Sequence, residues 1–285
     1  MLADHQHGSS RVTPGDTYSR YVALGDSQTE GVGDGDDLIG LRGLADRFAE
    51  LLAVTNPQLQ YANLAVRGKL ARHVHEEQLT DALRLRPDLV TVIAGVNDVL
   101  RPGFDADEVA GHLEAMFAEL TTHGAVVVTL TFPDPARITP LARMVSGRVA
   151  VLNQRIRAAA QQYGVIVAET ADHAAVTDPR LWGADRLHAS PLGHQRIAEA
   201  LASALQLPGS DDSWTRPVLP PLPKRGALST ATNEMLWAAK FLGPWLGRRL
   251  TGRSSADGRT AKRPDLLPVR ADEDSPQCDG RTACP

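Results

Sequence analysis

Five short apolar runs, each followed by a segment of helical periodicity, constrain this chain more than any other feature. The runs are Tyr21–Leu24, Leu59–Val66, Leu89–Ala94, Ala125–Thr131 and Val165–Glu169. The amphipathic stretches are Leu41–Val54, Ala71–Leu85, Ala106–Thr122, Leu141–Tyr163 and, after the last run, Pro191–Leu205. Strand–helix alternation calls for parallel pairing with helices on both faces of the sheet. Leu89-Val-Thr-Val-Ile-Ala and Ala125-Val-Val-Val-Thr-Leu are nearly continuous in apolar character, as strands buried on both sides must be. The pattern predicts an α/β fold, a three-layer α/β/α sandwich with a five-stranded parallel sheet, over residues 19–207. The helix ends are legible too. Asp105 reads as an N-cap with Glu108 three residues on, Gly124 as a left-handed stop, and Ser190-Pro191 as a cap and first turn.

The remainder of the chain has a different character. Residues 1–18 are polar and read as a flexible N-terminus. Residues 208–228 are rich in Pro, Asp and Ser and read as a linker. In 229–250, Met235, Ala238, Ala239, Leu242, Trp245, Leu246 and Leu250 recur near the helical period, with Lys240, Arg248 and Arg249 beside them. That segment either docks its apolar stripe on the body or touches anionic lipid or a protein partner. Residues 251–285, rich in Arg, Asp, Gly, Ser and Pro, read as disordered. They hold the only two cysteines, Cys278 and Cys284, too few ligands for a structural zinc site.

Charge narrows the function classes. The net charge is −4, with 18 Lys and Arg against 25 Asp and Glu over residues 1–210 and 12 against 9 over 211–285. An acidic body gives no reason to expect a nucleic-acid partner. Residues 1–20 contain no apolar h-region, and no stretch reaches the length needed to span a bilayer, so a cytoplasmic location is the expectation. No phosphate-binding loop and no dinucleotide fingerprint is present, and no cofactor is expected. No metal is expected either. The acidic loop Gly33–Asp37 lacks the spaced ligands of a calcium site and reads as a mobile rim of the active-site entrance. His5/His7 and His73/His75 have no apparent third ligand.

Four separated segments carry the chemistry: Gly25-Asp26-Ser27, Gly68, Gly95-Val96-Asn97-Asp98 and Asp185-Arg186-Leu187-His188. Ser27, Gly68 and Asn97 each follow a strand, and ligands of open α/β sheets sit outside the carboxyl ends of the strands. A serine hydroxyl needs a base to take its proton, and His188 is the candidate. Asp185, three residues earlier, would hold the other ring nitrogen and fix the tautomer. Gly68 lets its backbone N–H approach an oxyanion closely, and Asn97 offers side-chain N–H donors. The elbow Gly-x-Ser-x-Gly is not met, because position 29 is Thr.

The run Tyr21-Val-Ala-Leu-Gly-Asp-Ser-Gln-Thr-Glu-Gly31, with Asp185-Arg-Leu-His-Ala-Ser-Pro-Leu-Gly-His194, resembles the SGNH (GDSL-type) hydrolases. The resemblance covers roughly residues 19–207 and does not reach the C-terminal tail. It implies a flavodoxin-like strand order of 2-1-3-4-5 and an acyl-enzyme on Ser27. It adds the Ser27 backbone N–H to Gly68 and Asn97 as oxyanion donors, and makes Asp26, Asn63 and Asp98 supporting residues. A serine esterase follows, acting on small-molecule or lipid esters, with short-chain acyl or acetyl esters foremost. Two alternatives stand beside it: a catalytically silent binding or scaffold protein of the same fold, and a membrane-associated, lysophospholipase-like enzyme using residues 229–250.

Overall fold

The computed structural model describes residues 17–222, 232, 234–243 and 256–269. His5, His7, Cys278, Cys284 and part of the 229–250 segment lie outside these residues. Five parallel strands form the centre of the sheet: β1 (Arg20–Gly25), β2 (Gln60–Asn63), β3 (Leu89–Ile93), β4 (Val126–Leu130) and β5 (Ile166–Ala168). A sixth, β6 (Arg263–Pro268), pairs antiparallel with β2, so the spatial order is β5-β4-β3-β1-β2-β6.

The alternation of side chains across β1 shows why its sequence reads as unbroken apolar character. Val22 and Leu24 enter the core on one face of the sheet, and Tyr21 and Ala23 enter the core on the other. In β3, Val90 and Val92 divide from Leu89 and Ile93 in the same way. The first face is covered by α2 (residues 71–85, with a π turn at Val74–Gln78), α3 (Ala106–Thr122) and α4 (Arg143–Tyr163). The second is covered by α1 (Leu44–Thr55) and α5 (Pro191–Ala204), which pack on each other. Asp105 caps α3 by accepting the N–H groups of Asp107 and Glu108, and Ser190 caps α5 by accepting that of Gly193.

The three-layer expectation stands, and the sheet count is corrected from five to six. The added strand comes from the 251–285 stretch that composition marks as disordered. β6 is held by an ion pair and a cation–π contact as well as by its ladder: Lys262 Nζ lies 2.6 Å from Asp46 Oδ2, and the Arg263 guanidinium sits over the Tyr61 ring at 5.2 Å. Two further stretches make specific contacts. Residues 211–222 pack on the body, where Trp214 is buried and Arg180 donates to the Val218 and Pro220 carbonyls. The Gly33–Asp37 loop, expected to be a mobile rim, enters a two-stranded hairpin, Gly35–Asp36 with Gly40–Leu41. Arg47 pairs with Asp34, and Arg67 and Arg259 both pair with Asp37.

Candidate active site

Because β1 lies between β2 and β3 and all three run in the same direction, the segments that follow them meet at one edge of the sheet. Gly25 ends β1 at a φ of 156°, and a Cβ there would stand 2.5 Å from the Ile93 carbonyl oxygen and 2.4 Å from Thr29 Oγ1. Only glycine fits so tight an exit. Asp26 then caps the helical turn Ser27–Glu30, its Oδ1 accepting the Gln28 N–H at 3.2 Å. Ser27 is left nearly buried.

Ser27 Oγ lies 2.9 Å from His188 Nε2, and His188 Nδ1 lies 2.6 Å from Asp185 Oδ2. The other oxygen of that carboxylate accepts the N–H groups of Leu187 (3.0 Å) and His188 (3.1 Å). Asp185 is therefore fixed by its own loop before it touches the imidazole. Its carboxyl is held below the usual range because these hydrogen bonds and the imidazole outweigh the opposing effect of burial, the largest single influence on it. A base joined on one side to a carboxylate and on the other to a hydroxyl is the arrangement that can draw a proton from serine.

The remaining sequence-predicted residues join the Ser27 turn to its neighbours. Asn97 Nδ2 donates to Asp26 Oδ2 and to the Lys69 carbonyl, both at 3.0 Å. Both of its side-chain donors are thus engaged, linking the residue before Ser27 to the residue after Gly68. The N–H groups of Ser27 and Gly68 donate to no group among the described residues, and Gly68 has a φ of 80°. Asn63 is fully buried, donating to the Thr29 carbonyl (2.8 Å) and accepting the Ala65 N–H (3.1 Å). Asp98 accepts the Ala71 N–H at 3.0 Å, at the start of α2.

Several residues that the motif reading passes over prove to hold this site. Gln78, in the π turn of α2, accepts the Gly25 N–H and donates to the Gly25 carbonyl, both at 2.9 Å. A π turn inside a helix is itself a common mark of a functional region. Glu30 binds Arg67 through both carboxylate oxygens and accepts its backbone N–H at 2.6 Å, tying the serine turn to the glycine loop. His194 accepts the Leu44 N–H and donates to the Val32 carbonyl, both at 3.1 Å, and so staples α5 to α1 and the serine turn.

Gln28 is the most direct of these residues. Its Nε2 donates to the Leu187 carbonyl at 2.7 Å and its Oε1 accepts the Ala189 N–H at 3.2 Å, so one amide brackets His188 on both sides. Beside this contact lies an apolar cavity of about 50 Å³, lined by Gln28, Phe132, Leu181, Trp182, Ala189 and Trp214. With a void there, packing alone does not hold the loop. Gln28→Ala is expected to lower kcat for a small ester about 10- to 100-fold with little change in KM, checked by steady-state kinetics.

Two buried titrating groups set opposing pH responses. Burial pushes the Asp26 carboxyl up to about 7, against the Gln28 hydrogen bond that pulls it down. Burial pushes His194 down to about 4. As pH falls from 7 towards 4, native Asp26 takes up a proton that the unfolded chain does not yet bind, and stability rises. Over 6.5 to 4 the unfolded chain protonates its histidine while native His194 stays neutral, and stability falls. The two trends offset one another. Asp26→Asn removes the first, so its urea midpoint is expected to fall more steeply than wild type between pH 7.5 and pH 5.

Comparison with known proteins places this geometry. The family model described as "GDSL-like Lipase/Acylhydrolase family" matches residues 23–196. The chain belongs to that family. GDSL-type proteins of this kind are hydrolases acting on ester bonds, and the coarse activity follows from membership. No curated protein sequence matches the chain. Among solved structures, the chain is similar to LAE5, an alpha/beta hydrolase enzyme from the metagenome of Lake Arreo, Spain. The two are 23% identical over 66% of this chain and 94% of that one, with a TM-score of 0.55. It is similar also to a single-substitution variant of Axe2, an acetyl xylan esterase from Geobacillus stearothermophilus (18% identity, 70% and 98% coverage, TM-score 0.55). A third similar structure is TesA (19%, 66% and 98%, TM-score 0.55). At these identities the likeness is one of fold, and it extends over nearly the whole of each of those chains.

Proposed function

We propose that this GDSL-type hydrolase is a serine esterase working through an acyl-enzyme on Ser27. The observation that carries the reading is the unbroken chain of contacts from Ser27 Oγ to His188 Nε2 (2.9 Å) and from His188 Nδ1 to Asp185 Oδ2 (2.6 Å). His188 takes the serine proton as Oγ bonds to the ester carbonyl carbon. The same proton passes to the departing alkoxide as the tetrahedral intermediate collapses, leaving an acyl-serine and an alcohol. Water then repeats the sequence: His188 accepts its proton, the hydroxide adds to the acyl carbon, and the proton returns to Ser27 as the acid leaves.

The negative oxygen of each intermediate needs donors already in place. The N–H groups of Ser27 and Gly68, unengaged among the described residues, are suited to this. Asn97 supports them by bridging Asp26 and Lys69, and serves as the third donor by sharing one of those bonds with the oxyanion.

The substrate reading is a small-molecule ester with a short acyl or acetyl group. Hydrolysis of p-nitrophenyl acetate, butyrate, octanoate and palmitate by the full chain, each against Ser27→Ala, tests it. The reading predicts Ser27-dependent turnover that is fastest on the shortest acyl groups. A preference for palmitate would move the substrate to lipid esters, and no Ser27-dependent turnover on any of them would count against the esterase reading.

A further inference from the structure

The loop carrying His188 is gripped from two sides, and the second grip comes from beyond the family-matched residues. Arg186 lies between Asp185 and the Leu187-His188 pair, with a φ of 56°, in the left-handed region that non-glycine residues rarely occupy. Such a conformation persists only where the surroundings over-determine it. At the backbone, the Arg186 N–H donates to the Gly183 carbonyl at 2.9 Å. At the side chain, the guanidinium donates to Glu234 Oε1 at 2.5 Å and to Thr139 Oγ1 at 3.3 Å, and the Thr139 hydroxyl donates to Glu234 Oε2 at 2.9 Å. The same guanidinium stands 5.0 Å from the centre of the Trp237 ring.

This cluster differs from a surface ion pair. The Arg186 and Glu234 side chains are only 22% and 18% exposed, so water and salt screen their attraction weakly. Thr139 anchors the pair to the loop after β4. The cation–π contact covers another face of the guanidinium. Met235 and Leu236, between the two gripping residues, are exposed.

We propose that Glu234 and Trp237 are positioning residues: by holding the Arg186 side chain they keep the Asp185–His188 loop in register with Ser27, so the C-terminal segment completes the catalytic unit. The proposal rests on the serine-esterase reading. Without the grip, Arg186 is released towards ordinary backbone angles. That motion turns the adjoining peptide, whose Leu187 N–H is one of the two bonds fixing Asp185.

The test uses the full chain with Glu234→Ala, Trp237→Ala, Arg186→Ala and Arg186→Gly. Two quantities are read: kcat and KM on p-nitrophenyl acetate, and the downfield proton resonance of the His188–Asp185 hydrogen bond. Glu234→Ala and Trp237→Ala are expected to lower kcat about 10-fold or more with KM within about twofold, and to broaden the resonance. Trp237→Phe, which keeps a ring face, recovers most of the loss. Arg186→Gly loses the grip but also the backbone penalty that makes the grip necessary, so it is expected to retain more activity than Arg186→Ala.

A sharp wild-type resonance and wild-type kcat in both Glu234→Ala and Trp237→Ala would overturn the proposal. So would wild-type kcat in Arg186→Ala, because the side chain would then have no positioning role. The resonance reports the loop whether or not the protein turns over an ester. Absence of wild-type hydrolysis would therefore count against the esterase reading alone, and the resonance would still decide the grip.

Discussion

Ser27→Ala is expected to lower kcat for p-nitrophenyl acetate by at least about 10⁴-fold while leaving the fold intact. The two halves of this expectation have separate causes. On the proposed mechanism the hydroxyl is the atom that bonds to the acyl carbon, and among the described residues no other serine or threonine hydroxyl lies within hydrogen-bond distance of His188. Whatever rate is left then comes from oxyanion donors and substrate binding acting on water. The fold depends little on the hydroxyl, because the turn is held by the Asp26 cap, by the Glu30–Arg67 pair and by Gln78 on Gly25. Removing one oxygen from a residue that is 8% exposed creates no apolar cavity, so the urea midpoint should stay close to wild type. Kinetics and urea unfolding on the same preparation check both halves.

Asp185→Asn should be nearly as damaging, with a fall of about 10⁴-fold in kcat and little change in KM. The reason lies in the bonds that the loop already makes. Asp185 Oδ1 accepts two backbone N–H groups, from Leu187 and His188. A substituted amide must offer its carbonyl oxygen to those donors, which turns its NH₂ towards His188 Nδ1. That nitrogen must then be an acceptor, so the imidazole proton moves to Nε2, and the nitrogen facing Ser27 can no longer take a proton. Asp185→Ala leaves the tautomer free and is expected to retain more activity than Asp185→Asn. The reverse order would show that an acceptor for the Leu187 and His188 N–H groups matters more than the tautomer.

Strands β1 to β4 were legible because each is buried on both faces, and two-sided burial leaves an apolar run that needs no neighbour to be read. β6 was not legible for the opposite physical reason. Arg263-Pro-Asp-Leu-Leu-Pro268 is an edge strand with a Pro at its second and last positions, and edge strands tolerate the residues that central strands exclude. Its composition is that of a disordered segment, and only pairing with β2 gives it a shape.

The contrast within the site is similar. Ser27, Asp185 and His188 stand in short motifs whose residue types suit proton transfer, so they can be picked out one segment at a time. Gln28, Gln78, His194 and Glu234 act by holding backbone or charge across gaps of roughly 50 to 160 residues, and nothing local marks them. The Gln78 amide has a faint local sign in its π turn, but that turn is a feature of the folded helix. Asn97 shows a further limit. Its identity suggests a donor, yet which partner receives each N–H is set by the fold, which brings Asp26 and the Lys69 carbonyl to it.

The most direct test of the central claim is stoichiometric labelling of the full chain by a fluorophosphonate, with the modified residue located by peptide mass spectrometry. The account predicts one phosphonyl group per chain, on Ser27, with labelling lost in Ser27→Ala and strongly slowed in Asp185→Asn. A folded wild-type protein that takes up no label, or takes it on another residue, would contradict it.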